Sequence, residues 1–86
     1  MEAKEIKEYH DNGKLAYKET RVILPKDKEY LYPHRQCHDG YCWIRTGVQV
    51  KYHDSGLLAW KLERNNEGEV INSEKGYRKD GTAIQY

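Results

Sequence analysis

A ten-residue phrase occurs twice in this chain, and the repetition limits the folds that the chain can adopt. "YHDNGKLAYK" covers residues 9–18 and "YHDSGLLAWK" covers residues 52–61, with seven of the ten positions identical. An Asn-Gly or Ser-Gly step lies at the centre of each copy, and such steps favour tight β-hairpin turns. A looser third copy, "YRKDGTAIQY", covers residues 77–86. The pattern predicts a recurring hairpin whose faces are buried by neighbouring hairpins.

The segments between the turns have the composition of strands. "AYKETRVIL" and "GYCWIRTGVQVKY" are rich in β-branched and aromatic residues, and no long stretch keeps helical spacing. We therefore predict one all-β domain over residues 1–86, an antiparallel hairpin meander of about six or seven strands. The hairpins are expected at about 8–20, 47–63 and 76–86, with an atypical insert at 25–46. The turn glycines are Gly13, Gly40, Gly56 and Gly81, with a further turn at "PKDK" (residues 25–28) and a bulge at Thr46-Gly47.

A two-residue loop at Asn12-Gly13 would fix the pairing of the strands around it. The same register applies to the second copy, and in the third copy it places Tyr77 opposite Ile84. The predicted pairs are Asp11–Lys14, His10–Leu15, Tyr9–Ala16 and Glu8–Tyr17, then Asp54–Leu57, His53–Leu58, Tyr52–Ala59 and Lys51–Trp60.

The composition predicts a shallow core and an aromatic surface. Leu, Ile and Val total fifteen and Phe is absent, whereas there are eight Tyr and two Trp. The net charge of +1 gives no long-range field toward nucleic acid or membranes. The first ten residues, "MEAKEIKEYH", are too charged for a signal peptide, and no apolar run approaches the length of a membrane span. A cytoplasmic setting is the resulting expectation.

The repeated phrases resemble the variant MORN repeat of small bacterial proteins, which has the form Gly-x-Trp/Val-x-x-Tyr-x-x-x-Gly-x-Leu. The matching residues are Gly47, Val48, Tyr52, Gly56 and Leu58 in the middle copy, Tyr9, Gly13 and Leu15 in the first, and Tyr77 and Gly81 in the last. The resemblance covers about half of the chain and leaves out the insert. It implies a hairpin array that acts as a binding surface, and a role as a bacterial antitoxin or immunity component with a protein partner.

The insert contains the most reactive side chains of the chain, in "HRQCHDGYC". His34, Cys37, His38 and Cys42 are residue types that bind Zn²⁺, but their spacing does not match a zinc knuckle. A turn at Asp39-Gly40 would instead place Cys37 opposite Cys42, within disulfide range. Two reduced thiols follow from a cytoplasmic setting, with a disulfide or a zinc site as alternatives.

No set of residues predicts catalysis. His10 and His53 each precede an Asp, but neighbours along a strand point to opposite faces, and no motif places a nucleophile nearby. We therefore expect no enzyme activity and no cofactor. Because exposed aromatic rings are enriched at interface centres, we predict a protein-binding module that uses Tyr17, Tyr41, Trp43 and Trp60. Self-association through edge strands is also compatible with the pattern. The alternative is a lipid or nucleic-acid surface at Arg35, Arg45 and Lys51, which the low net charge disfavours.

Overall fold

The computed structural model describes residues 2–83, which form an open antiparallel sheet. The strands lie in the order β1-β2-β4-β5-β6, and β3 pairs with the start of β4. The predicted all-β hairpin meander is therefore confirmed. No helix within residues 2–83 is long and apolar enough to cross a bilayer. The elements are β1 (Ala3–Tyr9), β2 (Leu15–Ile23), a 3-10 helix (Lys26–Leu31), β3 (Gln36–His38), β4 (Tyr41–Tyr52), β5 (Leu58–Arg64) and β6 (Val70–Lys75).

Four turns share one backbone geometry, which differs from the predicted two-residue loop. In the first turn, the His10 N–H donates to the Lys14 carbonyl (2.8 Å), and the Gly13 N–H donates to the His10 carbonyl (2.9 Å). The turns at 53–57, 65–69 and 78–82 repeat both bonds. With the glycine at positive φ, this is the three-residue loop in which a bulge at the glycine follows a type I turn.

The predicted register is consequently wrong beside these turns and correct one step farther along the strands. Tyr9 pairs with Leu15, and the register then shifts by one residue. The pairs Glu8–Tyr17 and Lys51–Trp60 form as predicted. In the third copy Tyr77 pairs with Ala83, and Ile84 lies outside the described residues, as does the end of the hairpin predicted at 76–86. The pairs replaced by this shift are His10–Leu15, Asp11–Lys14, Tyr9–Ala16, His53–Leu58, Asp54–Leu57 and Tyr52–Ala59.

The residue before each glycine explains the loop type. A two-residue loop of type I′ needs positive φ at both central positions. Asn, Ser, Glu and Asp occupy the first of these positions in the four turns, and Ser and Glu resist positive φ. The three-residue loop needs it only at the glycine. Asp39-Gly40 is the exception: both residues have positive φ (49° and 83°), and Cys37 lies opposite Cys42 as predicted.

The repeated histidines join one hairpin to the next. The Nε2–H of His10 donates to the Tyr52 carbonyl at 2.9 Å, and that of His53 donates to the Tyr77 carbonyl at 2.6 Å. The Asn12 side chain adds a bond to the Asp54 carbonyl at 2.8 Å. These contacts stack three of the turns at one end of the sheet. The repeated phrase therefore has a structural role in this region.

The core is small and lies on one face of the sheet, here called the core face. Leu24, Cys42 and Ile44 are buried there, and Tyr32 packs against them where the chain leaves the 3-10 helix. That helix occupies the segment where the sequence predicted a turn at "PKDK". The predicted bulge at Gly47 is confirmed: its φ is +66°, and the β2–β4 register shifts beside it.

Gly76 is the glycine with the least space around it. It is buried, and its N–H donates to the Ala59 carbonyl at 3.2 Å. A Cβ at this position would overlap the backbone carbonyl of Leu58. Because that obstacle is backbone within a sheet, it cannot move aside as a flexible side chain would.

We predict that Gly76→Ala lowers the free energy of unfolding by about 2–3 kcal/mol through overpacking. Gly13→Ala is the matched control, since its Cβ meets open space and only the positive φ of 85° is strained. The control should cost about 1 kcal/mol. Urea denaturation of both variants measures the difference, and an equal loss at the two positions would contradict the close approach to Leu58.

Candidate functional site

The four aromatic residues that were predicted to bind a partner lie on the face of the sheet opposite the core. We call this face the aromatic face. The rings of Tyr17 and Trp60 meet edge to face at a centroid distance of 6.2 Å. Those of Tyr41 and Trp43 are 5.6 Å apart. The strand register places all four on this face, since Tyr17 and Trp60 both pair with Lys51, and Trp43 pairs with Ile23.

A buried carboxylate connects the two ring pairs. Glu19 is 3% exposed and accepts a hydrogen bond from the Tyr17 hydroxyl at 2.8 Å. The Arg21 guanidinium donates to the same carboxylate at 3.0 Å and lies 4.9 Å from the centre of the Trp43 ring. Contacts therefore run without interruption from Trp60 through Tyr17, Glu19 and Arg21 to Trp43 and Tyr41.

Further polar side chains extend this network across β4 and β5. Arg45 donates to Glu19 at 2.7 Å. Gln49 donates to the Tyr17 hydroxyl at 2.7 Å and accepts from Arg64 at 3.2 Å. The network thereby joins three strands, β2, β4 and β5, and fixes the orientation of the Tyr17 ring.

The surrounding donors keep Glu19 ionised. Burial by itself would raise its pKa, but hydrogen bonds from Arg21 and Tyr17 and the charges of Arg45 and Arg21 lower it below the ordinary value of 4.5. The pKa of Tyr17 is raised by burial and by its bond to the carboxylate. Tyr17 therefore remains a neutral donor, while Glu19 accepts as an anion.

A groove lies at each end of the aromatic chain. One has a volume of about 270 Å³ and is lined by Lys4 and Ile6 of β1 together with Arg21, Tyr41 and Trp43. The other, of about 250 Å³, is lined by Trp60, Leu62 and part of β6. The indole N–H of Trp43 is buried without a hydrogen-bond partner among residues 2–83. Such a donor is costly to leave unpaired.

The three residues of the predicted basic patch have different surroundings. Arg45 is engaged by Glu19, and Lys51 lies farther along β4 on the same face. Arg35 donates to the Tyr32 carbonyl at 3.1 Å, in the segment that covers the core face. Arg35 is thus held by a different segment of the chain from Arg45 and Lys51.

The two cysteines form a disulfide. The sequence-based expectation of two reduced thiols is therefore wrong, and the disulfide alternative is correct. Cys37 and Cys42 are directly opposed, with a Cα–Cα distance of 4.0 Å. Oxidised sulfurs are not the thiolates that bind Zn²⁺. The nearby donor is the Glu29 carboxylate, whose oxygen lies within 4.8 Å of both sulfurs. His38 contacts Asp39 at 3.1 Å, and neither His38 nor His34 belongs to this cluster.

Glu19, Arg21, Gln49 and Arg64 belong to the site but were absent from the sequence-based candidates. A signal for two of them was available, because Tyr17, Glu19 and Arg21 alternate along β2 and therefore share a face. Arg45, named only as a phosphate contact, is instead a partner of Glu19. Comparison with known proteins adds no candidates: no family matches the sequence, and no curated protein or solved structure shows significant similarity to it.

The lowered pKa of Glu19 predicts a pH-dependent contribution to stability. A depressed pKa stabilises the fold above the unfolded value, near 4.5, and the effect is lost as pH falls through the lower folded value. Glu19→Gln should cost about 3 kcal/mol near pH 7, since two arginines lose their anion. The gap to wild type should narrow below pH 4.5.

Urea denaturation across this pH range measures the gap. Glu63→Gln is the matched control, because Glu63 is an exposed carboxylate on β5. It should change the unfolding free energy little at any pH. A gap for Glu19→Gln that stays constant down to pH 2 would contradict an ionised, paired Glu19.

Proposed function

We propose that this chain is a non-catalytic protein-interaction module that binds its partner through the aromatic face. Its main support is the continuous series of contacts from Trp60 to Tyr41, which holds four rings on one surface. Tyr and Trp rings that are already fixed in place lose little entropy when a partner binds. Such rings are frequent among the residues that dominate interface energies.

The charge of this face favours a partner with carboxylates beside apolar side chains. Within residues 2–83, Glu19 is the single anion of the network, against the three cations Arg21, Arg45 and Arg64, so the network carries a formal charge of +2. Arg64 donates to neutral groups, the Gln49 amide and the Gly68 carbonyl. A carboxylate from a partner could therefore approach Arg64 without displacing an ion pair formed within the described part of the chain.

A lipid or nucleic-acid surface has weaker support. Phosphate binding needs several uncompensated cations on one surface. Arg45 is already paired with Glu19, and Arg35 is bonded to the Tyr32 carbonyl in the segment before β3. The zinc alternative would first require reduction of the Cys37–Cys42 bond.

The resemblance to the variant MORN repeat adds a biological role to this proposal. It predicts an antitoxin or immunity component whose partner is a toxin-like protein in the cytoplasm. That role rests on the sequence motif, whereas the binding surface rests on the geometry of the aromatic face. The two parts of the proposal can therefore fail independently.

Affinity capture from lysate of the parent cell, at low and moderate salt, tests the proposal. The bait is wild type, Tyr41→Ala or Tyr30→Ala. Tyr41 lies on the aromatic face and is 43% exposed, whereas Tyr30 is 74% exposed on the 3-10 helix. We expect wild type and Tyr30→Ala to retain one protein at both salt concentrations, and Tyr41→Ala to retain at least about tenfold less, as for loss of an aromatic anchor.

Two results would contradict the proposal. A partner lost with Tyr30→Ala and kept with Tyr41→Ala would place binding on the other side of the sheet. Lipid or nucleic acid retained only at low salt would indicate phosphate-driven binding, which weakens steeply as salt increases.

A further inference from the structure

Strand β1 forms one edge of the sheet, and its outer side is unpaired within residues 2–83. The Glu2 carbonyl accepts from the Ile23 N–H, across the β1–β2 pair. Because backbone groups alternate in direction along a strand, the N–H and C=O groups of the even-numbered residues Lys4, Ile6 and Glu8 also point toward β2. The odd-numbered residues Ala3, Glu5, Lys7 and Tyr9 therefore direct their N–H and C=O groups outward.

The sequence of β1, "AKEIKEY", is complementary to itself when run antiparallel about Ile6. In that register Lys4 lies opposite Glu8 of a second copy, and Glu5 lies opposite Lys7 of that copy. Each pair occurs twice by symmetry, so four opposite-charge pairs form. Ile6 meets its own counterpart at the two-fold axis, and the small Ala3 lies opposite the large Tyr9.

We propose that two copies of this chain pair through β1 in this register, joining their sheets into one continuous sheet. Glu5 and Lys7 then form hydrogen-bonded pairs, as do Ala3 and Tyr9, through the backbone groups that point outward. Ile6 and its counterpart form a non-hydrogen-bonded pair, the type in which side chains approach most closely. Opposite charges directly across a strand pair are stabilising.

The neighbouring registers are excluded by the same two constraints. Both members of each hydrogen-bonded pair must be odd-numbered residues. The two-fold axis must therefore pass through a residue and not between two residues. A shift of one residue centres the pairing on Glu5 or on Lys7. Either shift places that charged residue opposite itself, which is destabilising. The charge pattern thus selects the Ile6-centred dimer and opposes other pairings of the exposed edge.

Sedimentation equilibrium of the wild type and two variants tests this dimer. Wild type should show a concentration-dependent mass that rises from 10.2 kDa toward twice that value. Glu5→Lys puts a lysine opposite Lys7 of the other copy at two symmetry-related places. It should therefore weaken the dimer about tenfold. The double variant Glu5→Lys with Lys7→Glu restores every opposite-charge pair and should recover the wild-type dissociation constant. The double variant also keeps an opposite charge beside Lys18 of β2. Its Lys7→Glu change puts a glutamate opposite Lys18, in place of the Glu5–Lys18 contact of the wild type.

Amide exchange within β1 separates pairing from unfolding. The amides of Lys4 and Ile6 face β2 and report the fold, whereas those of Glu5 and Lys7 report the new interface. We expect Glu5 and Lys7 to become protected as the concentration rises, with Lys4 and Ile6 protected throughout. A wild-type mass of 10.2 kDa up to millimolar concentration would overturn the proposal. A dimer of equal strength in the wild type and both variants would also overturn the proposal, since it would use another surface.

Discussion

The buried carboxylate of Glu19 is the interaction on which the arrangement of the aromatic face depends. A carboxylate that is 3% exposed is stable only if its lost hydration is replaced. Tyr17 and Arg21 from its own strand, and Arg45 from β4, supply that replacement with charge-assisted bonds of 2.7–3.0 Å. These same donors hold the two ring pairs, so the requirement to neutralise one charge also fixes the surface that we propose binds a partner.

This polar network covers the face of the sheet that a second structural layer covers in larger domains. The molecule is thin, with principal extents of 47 × 30 × 17 Å, and the core cluster of residues 2–83 is formed by three buried side chains, Leu24, Cys42 and Ile44. The 3-10 helix segment covers that cluster on one face. On the other face, long arginine side chains and aromatic rings cover the sheet while keeping polar groups in contact with water. The same shortage of aliphatic residues that predicts a shallow core therefore predicts an aromatic surface.

The sequence predicted the hairpin meander, the Gly47 bulge and the opposed cysteines because each depends on local residue types. It failed at the loop type, since Asn-Gly and Asp-Gly allow two turn geometries, and only comparison with Ser55 and Glu67 favours the longer one. It also missed the Glu19–Arg45 pair. That contact joins residues 26 apart in sequence and depends on how the insert returns the chain to β2. No local pattern encodes that path, whereas the alternation of Tyr17, Glu19 and Arg21 does encode their shared face.

Site-specific photo-crosslinking in the parent cell tests whether a partner binds the aromatic face. A photoreactive amino acid replaces either Tyr41, at the end of the aromatic chain, or Tyr30, on the 3-10 helix. If the partner binds the aromatic face, position 41 should give one covalent protein adduct and position 30 none of that mass. An adduct from position 30 alone would show that the partner binds beside the 3-10 helix and not on the aromatic face.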